Sequence, residues 1–329
     1  MTESKKDSLL FHKDAVVVDG HCDTLSLLAE RKFSFAGGGQ GQVDLPRLKQ
    51  GYVDVQFFAV FVSPKHRGTY LRRALEQVDL FYSLMEAYGE DCVAVHDYSG
   101  LERALTTGKI AGILSVEGGH ILEGSLGVLR VLYHLGVRCL TLTWNGRNEL
   151  ADGVGESETK GGLTSFGREV VREMERLGML VDVAHLAPAG FWDVIKMAKN
   201  PVIASHANSK ALCNHPRNLS DKQVRALALT GGVIGVNFVP EFVDPANPTI
   251  ETVANHIEHL ATVGGLDCVG IGSDFDGTPQ TVSGLQDAAS LPMLTGCLLD
   301  RGWSEDHIRK VMGGNFLRVI KETWSKYNL

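Results

Sequence analysis

Eight short apolar runs, each followed by a stretch of helical pattern, limit how this chain can fold. They are "AVVVDGHCD" (15–23), "VDVQFFAVFV" (53–62), "IAGILSVEG" (110–118), "RCLTLTW" (138–144), "MLVDVAH" (179–185), "PVIASHA" (201–207), "GVIGVNF" (232–238) and "DCVGIGSDFDG" (267–277). Most are continuously apolar and rich in β-branched residues, as expected of strands covered on both faces of a parallel sheet. Between them, "TYLRRALEQVDLFYSLMEAYG" repeats its apolar residues at helical spacing, at 71, 75, 78, 81, 82 and 85. "SLGVLRVLYHLG" and "TSFGREVVREMERLG" each stop at a glycine, a common helix terminator. Strands alternating with helices over 329 residues predict one (β/α)8 barrel of TIM type spanning the chain. An open doubly wound sheet is the alternative, but no GxGxxG follows the first strand. The glycine-rich run starting at Ala36 lacks the lysine of a phosphate loop and reads as a flexible loop.

The polar residues of these strands gather at one end. His21 and Asp23 close the first, Glu117 the third, His185 the fifth, His206 the sixth, and Asp274 and Asp276 the eighth. Those are C-terminal strand ends, where barrel enzymes carry their active sites. Side chains two apart on a strand project together, so His21 and Asp23 share a face and Cys22 turns away into packing. Burying unpaired polar and charged groups is costly, and a cation removes the cost. Imidazoles and carboxylates together suit Zn²⁺ and its first-row neighbours. Five such ligands exceed one tetrahedral site with an open position, and they fit two metals sharing a carboxylate. Taken singly, each of these residues has an ordinary structural explanation; the joint placement is what points to metal. His120, close to Glu117, reads as structural or as a support behind the candidate ligands rather than as a ligand, and His12, His66, His96, His134, His256, His259 and His307 fall in loops or helices and receive no role.

The formal net charge of −7, with no basic run, argues against a nucleic-acid partner. The first residues lack the apolar core of a signal peptide, and no run of about 18 apolar residues predicts a membrane span. The expectation is a cytoplasmic protein with no membrane partner, whose six cysteines, none in a CxxC pair, stay reduced. "HRG" at 66–68 is similar to a motif of glycerophosphodiesterases, but it follows the second strand and no acidic residue stands close behind it.

The motifs "DGHCDTL", "SVEGGHILEGSLGVLRVLYHLGVRCLTLTWNGRN", "GLTSFGREVVREMERLGMLVDVAH", "PVIASHANSKALCNHPRNLSD", "GSDFDG" and "NFLRVI" resemble, in order and over nearly the whole chain, the membrane dipeptidase (renal dipeptidase) family of zinc peptidases. The resemblance implies a soluble member of bacterial type with two Zn²⁺ ions at the top of the barrel. His21, Asp23 and Glu117 would hold one; Glu117, His185 and His206 would hold the other, with Glu117 bridging. Asp274 would transfer protons, and Arg217 of "HPRN" would bind the substrate's C-terminal carboxylate. The implied substrates are dipeptides, with tolerance of a C-terminal D-residue and attack by a metal-bridging hydroxide, and a homodimer is the expected assembly. Some members carry a histidine after "LT" in the fourth strand; Trp144 stands there in this chain, and the neighbouring Asn145 is a candidate hydrogen-bond donor to substrate. The competing readings are another binuclear metal amidohydrolase, a cyclic amidase or deaminase, and a metal-binding barrel without catalysis.

Overall fold

The computed structural model of the chain describes residues 3–30 and 33–324. Among the described residues there are nine parallel strands: β1 (Val18–Cys22), β2 (Val55–Phe61), β3 (Cys92–Ala94), β4 (Ile110–Glu117), β5 (Val137–Thr141), β6 (Leu180–Asp182), β7 (Ile203–Ala204), β8 (Val233–Val236) and β9 (Val269–Ile271). Their order is β2-β1-β9-β8-β7-β6-β5-β4-β3, and a further β2–β4 pairing closes eight of them into a barrel. The eight predicted runs supply those eight strands. β3 is additional: it pairs with the start of β4 at Ile110–Gly112, while β5 pairs with the end of β4 from Leu114.

Local chemistry sets the helix boundaries. Asp97, Ser125 and Thr164 each accept a backbone N–H of the first turn of the helix they open, filling a donor that the helix itself leaves unpaired. Ser220 and Gln223 form a reciprocal capping box at Asp221–Leu229. Gly178 ends the helix Ser165–Leu177 at φ 71°, a left-handed conformation that glycine adopts without a Cβ penalty.

Two apolar clusters hold the barrel. The larger joins the strands to the surrounding helices and includes Phe81, Leu129, Val170, Phe191 and Leu260. The second gathers residues from the early part of the strands, Val55, Leu180, Ile203 and Val233 among them, with Phe316 and Ile320 of the last helix, Asn315–Trp324. That packing closes the end of the barrel opposite the site and leaves the C-terminal rim to polar groups. All six cysteines are buried and unpaired.

Candidate metal centre and active site

Four other rim segments converge around Glu117, the last residue of β4. Its Oε1 lies 2.8 Å from His185 Nε2 and 3.7 Å from His206 Nε2, and its Oε2 lies 3.9 Å from His21 Nε2. One carboxylate thus turns one oxygen toward each side of the cluster. His21 Nε2 is 3.7 Å from Asp23 Oδ2. The atoms that could ligate a metal form three overlapping groups, His21–Asp23–Glu117, Glu117–His185–His206 and His21–His206–Asp274, with the atoms of each group within 4.8 Å of one another. All six residues are buried.

The histidines are oriented from behind. The Asn145 side-chain oxygen, which can only accept, lies 2.7 Å from His185 Nδ1, so the proton sits on Nδ1 and leaves a lone pair on Nε2. Ser205 Oγ donates to Asp182 Oδ2 at 2.6 Å, so at 2.8 Å it accepts from His206 Nδ1. The two Nε2 atoms then face each other, lone pair toward lone pair, at 2.9 Å. That contact is repulsive unless something positive lies beside both. His21 Nε2 and Asp23 Oδ1 are buried with no hydrogen-bond partner among the described residues. Buried polar atoms are normally satisfied, and a metal ion satisfies this set.

A model of the membrane dipeptidase family, peptidase family M19, matches residues 7–328. The chain belongs to that family. It is a metallodipeptidase by that membership and by its likeness to solved members. A structure described as the dipeptidase AC, a metallopeptidase of family M19, is 29% identical with a TM-score of 0.88, over 94% of this chain and 99% of that one. A metallopeptidase from Rhodobacter sphaeroides, solved with a phosphinate mimic of the dipeptide L-Ala-D-Ala, is also 29% identical, with a TM-score of 0.86 over 94% and 99%. The probable dipeptidase PvdM from Pseudomonas aeruginosa shares the fold at 21% identity, with a TM-score of 0.91 over 99% of both chains.

In this M19 dipeptidase two buried aspartates brace the rim from below. Asp182 accepts hydrogen bonds from Thr141 Oγ1, Ser205 Oγ, Ser205 N and Ala184 N. Asp19 accepts from Ser273 Oγ, Ser273 N, Gln56 Nε2 and His21 N. Burial nevertheless pushes the Asp19 carboxyl upward, against those hydrogen bonds. Asp274 is oriented by Asn237, whose side-chain amide donates to its Oδ2 at 2.8 Å. His185 and Asp274 both sit at φ 63°, a strained region for residues with a Cβ. Val154 N holds His185 there by donating to its carbonyl.

Burial and neighbouring charge dominate the electrostatics. Burial, then the nearby Asp23 charge, drives the Glu117 carboxyl well above its ordinary range. Burial lowers His185 and His206 far below the usual histidine value, with Arg217 and His21 adding to the effect. For His21 burial is the largest single influence and pulls downward, but Asp23 and Glu117 together outweigh it and raise the group to about 10. Burial raises Asp274 to about 6.

A cavity of about 610 Å³ opens over this floor, lined by Asp23, Glu117, His185 and Asp274 below and by Phe61, Trp144 and Phe242 at its sides. Trp144 stands with its ring centroid 5.4 Å from Phe61 and 6.3 Å from His185. Asn145 also lines the cavity, but its oxygen is engaged by His185. Arg217 lies deeper: it is buried, its Nη2 donates to the His206 carbonyl at 3.0 Å, its guanidinium sits 5.5 Å from the Phe242 ring centroid, and its Nε has no hydrogen-bond partner among the described residues.

Several rim residues depart from the sequence expectations. Asp276 turns away from the cluster, accepting from Thr24 Oγ1 and Gln42 N, and so clasps the glycine-rich loop. His120 is structural as expected, with Nε2 2.8 Å from the Val62 carbonyl. His66, which received no role, lines the cavity. Asn237, Ser205 and Asp182 received no role, although Asn237 and Ser205 lie in the C-terminal half of a predicted strand and Asp182 is the last residue of β6. Gly277 was also missed: a Cβ there would lie 2.4 Å from Asp274 Oδ1 and 2.5 Å from Asp23 Oδ2. Only glycine leaves that side of the cluster open.

Proposed function

We propose that the protein is a dinuclear zinc dipeptidase that accepts a D-residue at the C-terminal position. The observation that carries this reading is the placement of Glu117, with one carboxylate oxygen toward His185 and His206 and the other toward His21. His21, Asp23 and Glu117 would hold one zinc, and Glu117, His185 and His206 the other. When bound, such a pair acidifies water and withdraws electron density from a carbonyl oxygen.

The residues of the chain do the rest. Asp274 keeps Oδ1 free while Asn237 holds Oδ2, so it takes a proton from the attacking water and returns it to the departing amine. Arg217, with its unpartnered Nε, binds the substrate's C-terminal carboxylate; its planar fork suits that group. An anchor close to the reacting centre favours dipeptides over longer chains. Trp144 and Phe61 form an apolar wall beside the reacting carbonyl and limit water there. Tolerance of a D-residue draws support from the Rhodobacter sphaeroides relative, solved with a mimic of L-Ala-D-Ala.

The test is metal analysis combined with hydrolysis of L-Ala-L-Ala and L-Ala-D-Ala, with and without chelator. The expected result is two zinc ions per chain, turnover of both dipeptides, and loss of turnover with chelator. Asp274→Asn should retain metal and lose roughly 10²- to 10⁴-fold in kcat. Metal binding without cleavage of any dipeptide by the wild-type protein would sink the reading.

A further inference from the structure

We propose that the cavity selects dipeptides with an acidic side chain on the N-terminal residue, through Lys65 and Arg73; this rests on the dipeptidase reading above. Lys65 and His66 belong to the short turn Pro64–His66 that follows β2, and Arg73 lies in the first turn of the next helix, Tyr70–Ala87. All three line the cavity. Gln77, one helical turn beyond Arg73 and therefore on the same face, clamps this helix to the strand end. Its amide donates to the Phe61 carbonyl at 2.6 Å and accepts from Phe61 N at 3.1 Å.

The Arg73 Nε is buried and has no hydrogen-bond partner among the described residues. A buried guanidinium nitrogen without an acceptor is costly, and a bound carboxylate removes the cost with a charge-assisted bond. The same wall carries Glu30 and Glu76, but Glu76 is paired with Arg72 at 3.1 Å. Against these acids stand two cations, Lys65 and Arg73. His66 feels them: its proton affinity is lowered by partial burial first, then by Arg73 and Lys65.

Topology assigns the position. Around the closed barrel the order is β1-β2-β4-β5-β6-β7-β8-β9. The segment after β2 therefore lies diametrically across the rim from the segment after β7, which carries Arg217. With the substrate's C-terminal carboxylate held on the Arg217 side and the scissile bond over Glu117, the N-terminal residue points toward Lys65 and Arg73.

The test compares kcat/KM for L-Glu-L-Ala and its neutral isostere L-Gln-L-Ala, using the zinc-loaded full-length chain at low salt. The expected ratio is roughly tenfold in favour of glutamate, the scale of replacing a neutral hydrogen bond by a charged one. It should shrink as salt screens the charges. In Lys65→Gln/Arg73→Gln, shown to be folded by thermal unfolding, the ratio should fall toward one. A wild-type ratio at or below one, or a ratio unmoved in the double variant, overturns the assignment. Cleavage of L-Ala-L-Ala alongside either result confines the failure to this assignment. Absence of any dipeptide cleavage overturns the dipeptidase reading, and this inference with it.

Discussion

Gly277 illustrates how much one missing methyl group controls at this site. Two carboxylate oxygens, from Asp274 and Asp23, occupy the space a Cβ would need. Gly277→Ala should displace one of them, so metal affinity and kcat should both fall, by about 10-fold or more. Titration with zinc and steady-state kinetics check this; unchanged values would mean that the loop yields without cost. His185 and Asp274 show the complementary restraint, since both are held at positive φ by the surrounding hydrogen bonds. The candidate residues were legible because a histidine or carboxylate ending an apolar strand is chemically conspicuous, and the structure brings them together. Asn145 read as a substrate contact next to a conspicuous Trp144; it lines the cavity, and its oxygen also faces His185, a contact the sequence did not suggest.

At the scale of elements, the strands align one polar layer beneath the histidine–carboxylate cluster. Glu117 is in register with Thr141, and Thr141 with Asp182, across β4, β5 and β6. Asp182 then reaches Ser205, just past β7, so one carboxylate ties three neighbouring segments together. Ser205→Ala should leave the barrel folded and free the His206 ring to rotate, raising the zinc Kd about 10- to 100-fold by calorimetry. Asp182→Ala strands several buried donors at once and should cost about 3 kcal/mol or more in denaturant unfolding. The eight barrel strands were legible as apolar runs with turn residues between them. β3 was not, because three residues, Cys92–Ala94, give no periodicity to detect, and their pairing with β4 is settled by contact alone.

For the whole molecule, pH acts far from the site as well as within it. Asp54, just before β2, is pushed up to about 6, mainly by burial, while its Oδ2 accepts from Val17 N at 2.8 Å. Its folded value therefore lies above its unfolded one. Between about pH 4 and 6 the folded state keeps a proton that the unfolded state has lost. The stabilisation is complete below that window and disappears as pH rises through about 6. Asp54→Asn keeps an acceptor for Val17 without the charge. It should gain stability relative to the wild type as pH goes from 4 to 7, by about 1–2 kcal/mol in urea unfolding; a difference independent of pH would refute this.

The order of apolar and polar residues along the chain determined the eight-stranded alternation and the residue types at the strand ends, because both are local consequences of burial and turn chemistry. Closure through the β2–β4 pairing, the opposed oxygens of Glu117, the depth of Arg217 and the open side at Gly277 were decided only by tertiary structure. Each depends on distances between residues far apart in the chain, and no local pattern encodes those distances.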